Sequence, residues 1–320
     1  MTASDGPSIP LRHRLMAWWR GYDAAEYHAW QSGDAPPKGH GHSLDDLIPK
    51  VPVLSMVDHT EARIEVLQRL FGPGFTSPGG PEYAVEMVKP LGLTPERSLL
   101  DLSAGLGGGA AAIVKRFGGW VTGYEMDPEL AEWAPSVIGT LKGGDHVTVR
   151  GFAPESLSLR PDSFDCVLSR ESMFVVRDRE AMLKSIHAVL RDWGQLVITD
   201  YVLPTEAEPS DQIKAWLESE DLTYKPWAKQ EYEKAFAELG FDVRVLEDRS
   251  EEHRHHIRDT FARFVESLDG SDPLAEDPAR RSALIVEAER WARRAALMES
   301  GELALYRFFL IKPEKKETTE

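Results

Sequence analysis

The residues best suited to chemistry cluster around a glycine-rich turn. An apolar run, Leu99-Leu100-Asp101-Leu102, is followed by Ser103, Ala104, Gly105, Leu106, Gly107, Gly108 and Gly109. Small residues let a backbone approach a ligand closely, and a helix starting there offers it free N–H groups. Glu125 follows 24 residues after Asp101, at the end of a second β-rich run. A carboxylate at that place can accept both hydroxyls of a ribose. A glycine-rich turn alone is weak evidence, but here strand, turn, helix, strand and terminal acid come in order. Other side chains could act on a second molecule. Glu171, in Ser169-Arg170-Glu171, could orient or neutralise a cationic amine. Tyr201 and Tyr224 could donate hydroxyls or hold a cation against their rings. Arg294 could bind a phosphate or carboxylate, or simply sit on the solvated face of a charged helix. His59 has the near-neutral pKa that suits a base. His253, His255 and His256 stand beside Glu251 and Glu252. Two of these histidines share a helical spacing, but further ligands are unsupported. They are expected on the surface of a charged helix, and no metal is assigned.

The elements that must position these groups alternate. Strands are expected at 98–102, 120–125, 146–150, 164–169 and 195–201, with helices at 106–117, 128–141 and 179–190 between them. Such alternation implies crossover connections and a largely parallel sheet covered on both faces. Two later strands, 241–248 and 303–312, are separated by a charged helical segment at about 251–300. The domain reading is a helical extension (1–57), a main domain (58–250), a helical cap (251–300), a final strand (301–313) and a polar tail (314–320). The extension is rich in tryptophan (Trp18, Trp19, Trp30) and carries Arg12, Arg14 and Arg20. It is expected to staple onto the main domain or against a second copy, giving a homodimer, rather than to act as a membrane-surface helix.

Composition narrows the function. The chain has 320 residues, 42% hydrophobic and 28% charged, with a net charge of −16. So acidic a surface argues against nucleic acid as the main partner. Cys166 is the lone cysteine, which excludes an internal disulfide and a cysteine-rich zinc site and fits the cytoplasm. No signal-peptide run and no apolar stretch of membrane-spanning length is seen, so no integral membrane association is expected.

Asp101-Leu102-Ser103-Ala104-Gly105-Leu106-Gly107 resembles the first motif of class I S-adenosylmethionine (SAM) dependent methyltransferases, D-x-G-x-G-x-G, with Ser103 at the first glycine. FGPGFTSPGG (71–80), FDCVLSRES (164–172), ITDY (198–201) and GFDVRVLEDRS (240–250) resemble a narrower group. These are the phosphoethanolamine N-methyltransferases and related small-molecule amine methyltransferases, and the resemblance spans about 58–312. It implies an α/β, Rossmann-like fold: a seven-stranded, mostly parallel sheet with helices on both faces, plus the helical extension and cap. It implies SAM as cofactor and S-adenosylhomocysteine as product. Asp101, Ser103, Ala104 and Gly105 would line the methionine part, Glu125 would bind the ribose, and Met126 would pack on adenine. The turn from Phe75 through Ser77 and Gly79 would close over SAM, with Ser77 at its carboxylate, and Arg170 would also contact the cofactor. Phe152 and Ala153 stand where the family usually has an aspartate facing the adenine.

On the acceptor side, Glu171, Tyr201 and Tyr224 match family positions, and Arg294 replaces a lysine. Val175 falls on the family's catalytic histidine, His59 on its partner tyrosine and Leu222 on a phosphate-binding arginine. The weakened phosphate clamp argues for an acceptor other than phosphoethanolamine. The resemblance implies methyl transfer to a small polar acceptor, foremost at an amine nitrogen. Transfer to oxygen or carbon, or a non-catalytic SAM-binding role, are the alternatives.

Overall fold

Seven strands form one sheet in the order β3-β2-β1-β4-β5-β7-β6. They are β1 (Leu99–Asp101), β2 (Val121–Glu125), β3 (Val147–Gly151), β4 (Phe164–Arg170), β5 (Leu190–Val202), β6 (Asp242–Asp248) and β7 (Ala304–Ile311). The first five run parallel, and β7 lies antiparallel between β5 and β6. The central strands are covered on both faces, and their middles, Leu99–Leu100, 166–168 and 196–198, are apolar and buried. The edge strand β3 alternates instead. The computed structural model describes residues 9–10, 12–13, 16–17, 22–36, 61–268 and 277–314.

The described helices are α1 (Ala24–Gln31), α2 (Glu61–Phe71), α3 (Gly80–Met87), α4 (Gly108–Phe117), α5 (Pro128–Ile138), α6 (Arg179–Val189), α7 (Asp211–Ser219), α8 (Lys229–Glu238), α9 (Ser250–Ser267) and α10 (Pro278–Glu299). The seven-stranded α/β sheet expected from sequence is therefore present. Some details differ. β5 starts as soon as α6 ends and runs 13 residues, because Trp193 and Gly194 exchange backbone hydrogen bonds with Lys312 beyond the end of β7. Among the described residues, the segment 251–300 holds two helices. The second starts at Asp277, whose carboxylate caps the Ala279 and Arg280 amides, with Pro278 in its first turn. α7, capped by the Ser210 hydroxyl, was not anticipated. Trp18, Trp19, Arg14, Arg20 and His59 lie outside the described residues.

Helices α2, α9 and α10 pack together through Ile64, Leu67, Phe71, Phe261, Leu284 and Trp291. Phe71 sets its edge against both Phe261 and Trp291. The turn after α2 docks on the start of α4, where the Gly108 amide donates to the Gly74 carbonyl at 2.9 Å. A methyl group on Gly108 would lie 2.6 Å from that carbonyl, so only glycine allows the approach. Among the described residues, no helix is long and apolar enough to cross a membrane.

Gly107, the N-cap of α4, has φ +89°, and a Cβ there would sit 2.4 Å from Ile138. Gly107→Ala should therefore destabilise the protein by about 2–4 kcal/mol, combining left-handed strain with overpacking. Urea unfolding measures this, and a loss below about 0.5 kcal/mol would refute the close contact.

Candidate active site

A cavity of about 550 Å³ lies at the carboxyl ends of β1, β2 and β4. In an open α/β sheet this is where ligands bind, since the strand order reverses there. Glu125, at the end of β2, reaches across to the β1 turn. Its carboxylate accepts the Gly105 amide at 2.7 Å and the Asp127 amide at 2.9 Å. Burial pushes this carboxyl up to about 7, against the two hydrogen bonds that favour its ionised form. Gly105 has φ +53°, and a Cβ there would lie 3.1 Å from the Thr76 hydroxyl, so the Gly105 backbone meets that side chain directly.

Ser103 stands at the motif's first glycine. Its hydroxyl donates to Asp101 at 2.9 Å and accepts the Arg170 amide at 2.8 Å, joining β1 to β4. Asp101 also accepts the Ser103 amide, and burial raises its carboxyl. Arg170 donates to the Ser77 hydroxyl at 2.9 Å and lies 3.6 Å from the Glu171 carboxylate. Glu171 has φ +43°. Its amide donates to the Thr199 carbonyl, and its carboxylate accepts the Thr199 hydroxyl at 2.6 Å. Burial raises this carboxyl above the ordinary range.

The far wall is ionic and aromatic. Arg63 of α2 pairs with Glu287 of α10 at 2.9 Å, and Arg290 also reaches Glu287 at 2.8 Å. Glu220, just after α7, takes Arg294 at 2.6 Å and Arg290 at 3.5 Å. The Arg294 guanidinium lies over the rings of Trp291, Tyr201 and Phe174 at 4.8, 5.2 and 5.5 Å. A single helical turn, Met173–Val175, forms the rest of this wall. It is held from behind by Asp200, which accepts the Phe174 amide, and by Arg179, which donates to the Met173 and Phe174 carbonyls.

The cavity thus gathers Ser77, Ser103, Gly105, Glu125, Met126, Arg170, Glu171, Val175 and Arg294 from the sequence-expected set. Phe75, Asp101 and Ala104 line a small void behind the glycine-rich turn. Others sit elsewhere. Gly79 caps α3. Phe152 packs edge-on against Tyr124, its amide donating to the Glu125 carbonyl, and Ala153 follows it. Tyr224 lines a separate groove with Leu222, and its hydroxyl donates to the Val175 carbonyl at 2.5 Å. Tyr201 is wholly buried behind the cavity wall, paired with His253 at 2.9 Å. His253 is itself buried, against the expectation of a surface position, because α9 turns it toward the core; burial lowers it to about 3 and keeps it neutral. Arg294 is buried rather than solvated. His59 lies outside the described residues. Sequence reasoning missed Arg63, Glu220, Glu287 and Arg290. The spacing of Glu287, Arg290 and Arg294 along one helix face was a usable signal. Arg63 and Glu220 come from other elements and had none.

Comparison with known proteins agrees with this geometry. A methyltransferase domain family matches residues 100–198. Phosphoethanolamine N-methyltransferase 1 of Zea mays is 24% identical over 217 residues, covering 68% of this chain and 42% of its own length. Sarcosine/dimethylglycine N-methyltransferase of Halorhodospira halochloris is 28% identical over 180 residues, 55% of this chain and 61% of its own. The chain thus spans about two fifths of the length of the plant relatives it matches. A Haemonchus contortus phosphoethanolamine N-methyltransferase, solved with phosphomonomethylethanolamine and S-adenosylhomocysteine, superposes with a TM-score of 0.69 at 21% identity, over 87% of this chain and 62% of that one. The chain has the fold of the class I SAM-dependent methyltransferases and carries a methyltransferase domain. Its sequence is similar to the plant phosphoethanolamine N-methyltransferases at 24–27% identity over 62–68% of the chain.

Ser103→Gly restores the family's motif but removes the hydroxyl between Asp101 and the Arg170 amide. It should cost about 1–3 kcal/mol in urea unfolding, since both groups lose a buried partner. An unchanged midpoint would mean the bridge contributes nothing.

Proposed function

We propose that this protein is a SAM-dependent methyltransferase acting on a small polar amine. The observation that carries the reading is the convergence of Glu125, the Ser77–Arg170 pair and Glu171 on one cavity. The donor set fits SAM. The Glu125 carboxylate has capacity left for a diol beyond the two amides it accepts. Arg170 and Ser77 present a guanidinium and a hydroxyl to a carboxylate. Open glycine backbone separates these two ends. The cavity volume suits a cofactor together with a small acceptor, not a polymer. A single buried cysteine fits a reducing compartment such as the cytoplasm.

When bound, SAM supplies a methyl group on a sulfonium, a good leaving group. The protein's task is then alignment, exclusion of water and proton management. The acceptor nitrogen must present a lone pair in line with the C–S bond; the N–C bond forms as that bond breaks and its electrons return to sulfur. Glu171 is placed to accept a hydrogen bond from the amine and turn that lone pair toward the methyl. Its raised carboxyl also lets it share the proton the nitrogen loses. Val175 and Phe174 supply the dry wall beside it.

S-adenosylhomocysteine release from SAM, with a panel of small amines, tests the reading; no release with any amine would defeat it. Glu171→Gln should lower kcat about 10²-fold or more while SAM still binds. Glu125→Ala should abolish SAM binding in calorimetry. The pH dependence has a definite sign. The carboxyl is half protonated near pH 7, and the ionised form is the better acceptor for a diol. SAM affinity should therefore rise by up to about tenfold from pH 6 to pH 8 and then level off. A fall over that range would place the diol elsewhere.

A further inference from the structure

The arginines of the far wall already hold their counter-ions. Glu220 caps the carboxyl end of α7 and lines the cavity. Its Oε1 accepts Arg294 Nε at 2.9 Å, Arg294 Nη2 at 2.6 Å and the Trp216 indole N–H at 3.1 Å. Its Oε2 lies 3.5 Å from Arg290 Nε. Trp216 stands one turn earlier on α7 and is wholly buried, so Glu220 is braced by its own helix as well as by the arginines. Burial alone would raise the Glu220 carboxyl, but Arg294 and Arg290 hold it below the ordinary range. Glu220 is therefore a fixed, ionised carboxylate inside the wall. Arg294, which it neutralises, is only 9% exposed.

Among the described residues, each arginine of the lining is matched to a carboxylate. Arg63 donates to Glu287 through Nε and Nη2. Arg170 lies at the cofactor end, on Ser77 and beside Glu171. Arg290 is the most open at 25% exposure, but it is shared between Glu287, 2.8 Å from its Nη1, and Glu220. An anion on its remaining nitrogen would share one guanidinium with two carboxylates, and like charges that close repel. The lining as a whole agrees. Glu125, Asp127, Glu129, Glu171, Glu220 and Glu287 face four arginines. Burial raises Glu125 and Glu171, yet even with both neutral the acids equal the arginines in number. Glu129 adds a buried Oε2 with no hydrogen-bond partner among the described residues. Such a lining has spare acceptors and no spare cation. An anionic ligand would have to displace Glu220 from Arg294 and leave that carboxylate buried without its cation, which is costly.

We propose that Glu220 occupies the place of an acceptor anion, closing Arg294 and Arg290 to one. The acceptor is then an aliphatic amine with no anionic group, whose remaining polar group donates hydrogen bonds, as a hydroxyl or a second amine does. The inference rests on the methyltransferase reading above and adds the acceptor's charge class and the residue that selects it.

The experiment measures S-adenosylhomocysteine release with ethanolamine and ethylenediamine as anion-free probes, and with sarcosine and phosphoethanolamine as anionic ones. SAM binding is followed by calorimetry alongside. In the wild type, kcat/KM should be at least about tenfold higher for an anion-free probe than for either anionic one. Glu220→Gln keeps an acceptor for Trp216 but frees the arginines. It should raise kcat/KM for the anionic probes, relative to ethanolamine, at least about tenfold. Adding Arg294→Gln to that variant should cancel the gain, whereas a general loosening of the wall would favour all probes alike and survive the second change. Should the Glu220 variant not fold, the wild-type ratio decides alone. If sarcosine or phosphoethanolamine matches or exceeds the anion-free probes, or if Glu220→Gln leaves the ratio unchanged, the inference is overturned while the methyltransferase reading stands. If SAM does not bind, or no amine releases S-adenosylhomocysteine, that reading fails and the inference falls with it.

Discussion

The hydrogen bond from the Gly105 amide to the Glu125 carboxylate is the constraint on which the rest of the site depends. It ties the turn after β1 to the end of β2 across 2.7 Å and fixes the floor of the cavity. It can form only because the strands approach closely. A Cβ on Gly123 would lie 2.7 Å from that of Ala104, so the contact between β2 and the turn requires glycine on one side and a small residue on the other. From this floor the geometry propagates outward. The Ala104 amide bonds to the Tyr124 carbonyl, Ser103 carries the link to β4 through the Arg170 amide, and Arg170 reaches the closing turn at Ser77. One continuous run of polar contacts thus crosses β2, β1, β4 and the turn that follows α2.

The opposite wall follows a different logic. Apolar side chains hold α2, α9 and α10 together, but the surfaces facing the cavity are joined by ion pairs. Buried ion pairs add little net stability, because desolvation offsets most of their attraction. What they supply is direction. Glu287 and Glu220 hold the flat faces of their arginines at set angles, and three rings confine Arg294 to one plane. A wall built this way keeps its shape without a ligand and presents a defined pattern of charge to one. That is the preorganisation the proposed methyl transfer needs, since a displacement requires alignment before the group moves.

The cofactor half of the site was legible in the sequence, and the acceptor half was not. Asp101, the glycines that follow and Glu125 are close in sequence, and their roles come from backbone geometry that glycine and chain direction dictate. The strands were legible too, the central parallel ones from their apolar content and the edge strand β3 from its alternation. The acceptor wall is assembled from α2, α10 and the end of α7, which lie up to 224 positions apart in sequence, as Arg63 and Glu287 do. No local pattern encodes that contact. His253 shows the limit most sharply. It sits in a run of charged residues that reads as a solvated face, yet the turn from β6 into α9 rotates it inward onto Tyr201. Burial of a polar residue depends on what covers it, and the cover here is a helix and a strand from elsewhere in the chain.

Glu171 sets a side chain's placement against local backbone preference. Its φ of +43° is a conformation in which glycine is the least costly residue, and a β-carbon there is strained. The other described non-glycine residues with positive φ are exposed: Asp162 and Asp221 lie in turns and Trp193 in the outer part of β5. Glu171 is tied down instead: its amide is fixed to the Thr199 carbonyl and its carboxylate to the Thr199 hydroxyl. A glycine would have removed the strain, and a shorter acid would have to reach the same hydroxyl from a strained backbone with one methylene fewer. The structure instead keeps a long acid in an unfavourable conformation, half-neutralised by Arg170, with its carboxyl raised by burial at the edge of the cavity. Strain of this kind persists where the side chain it positions is needed. In the proposed function, that places Glu171 where the cofactor half and the acceptor half of the site meet.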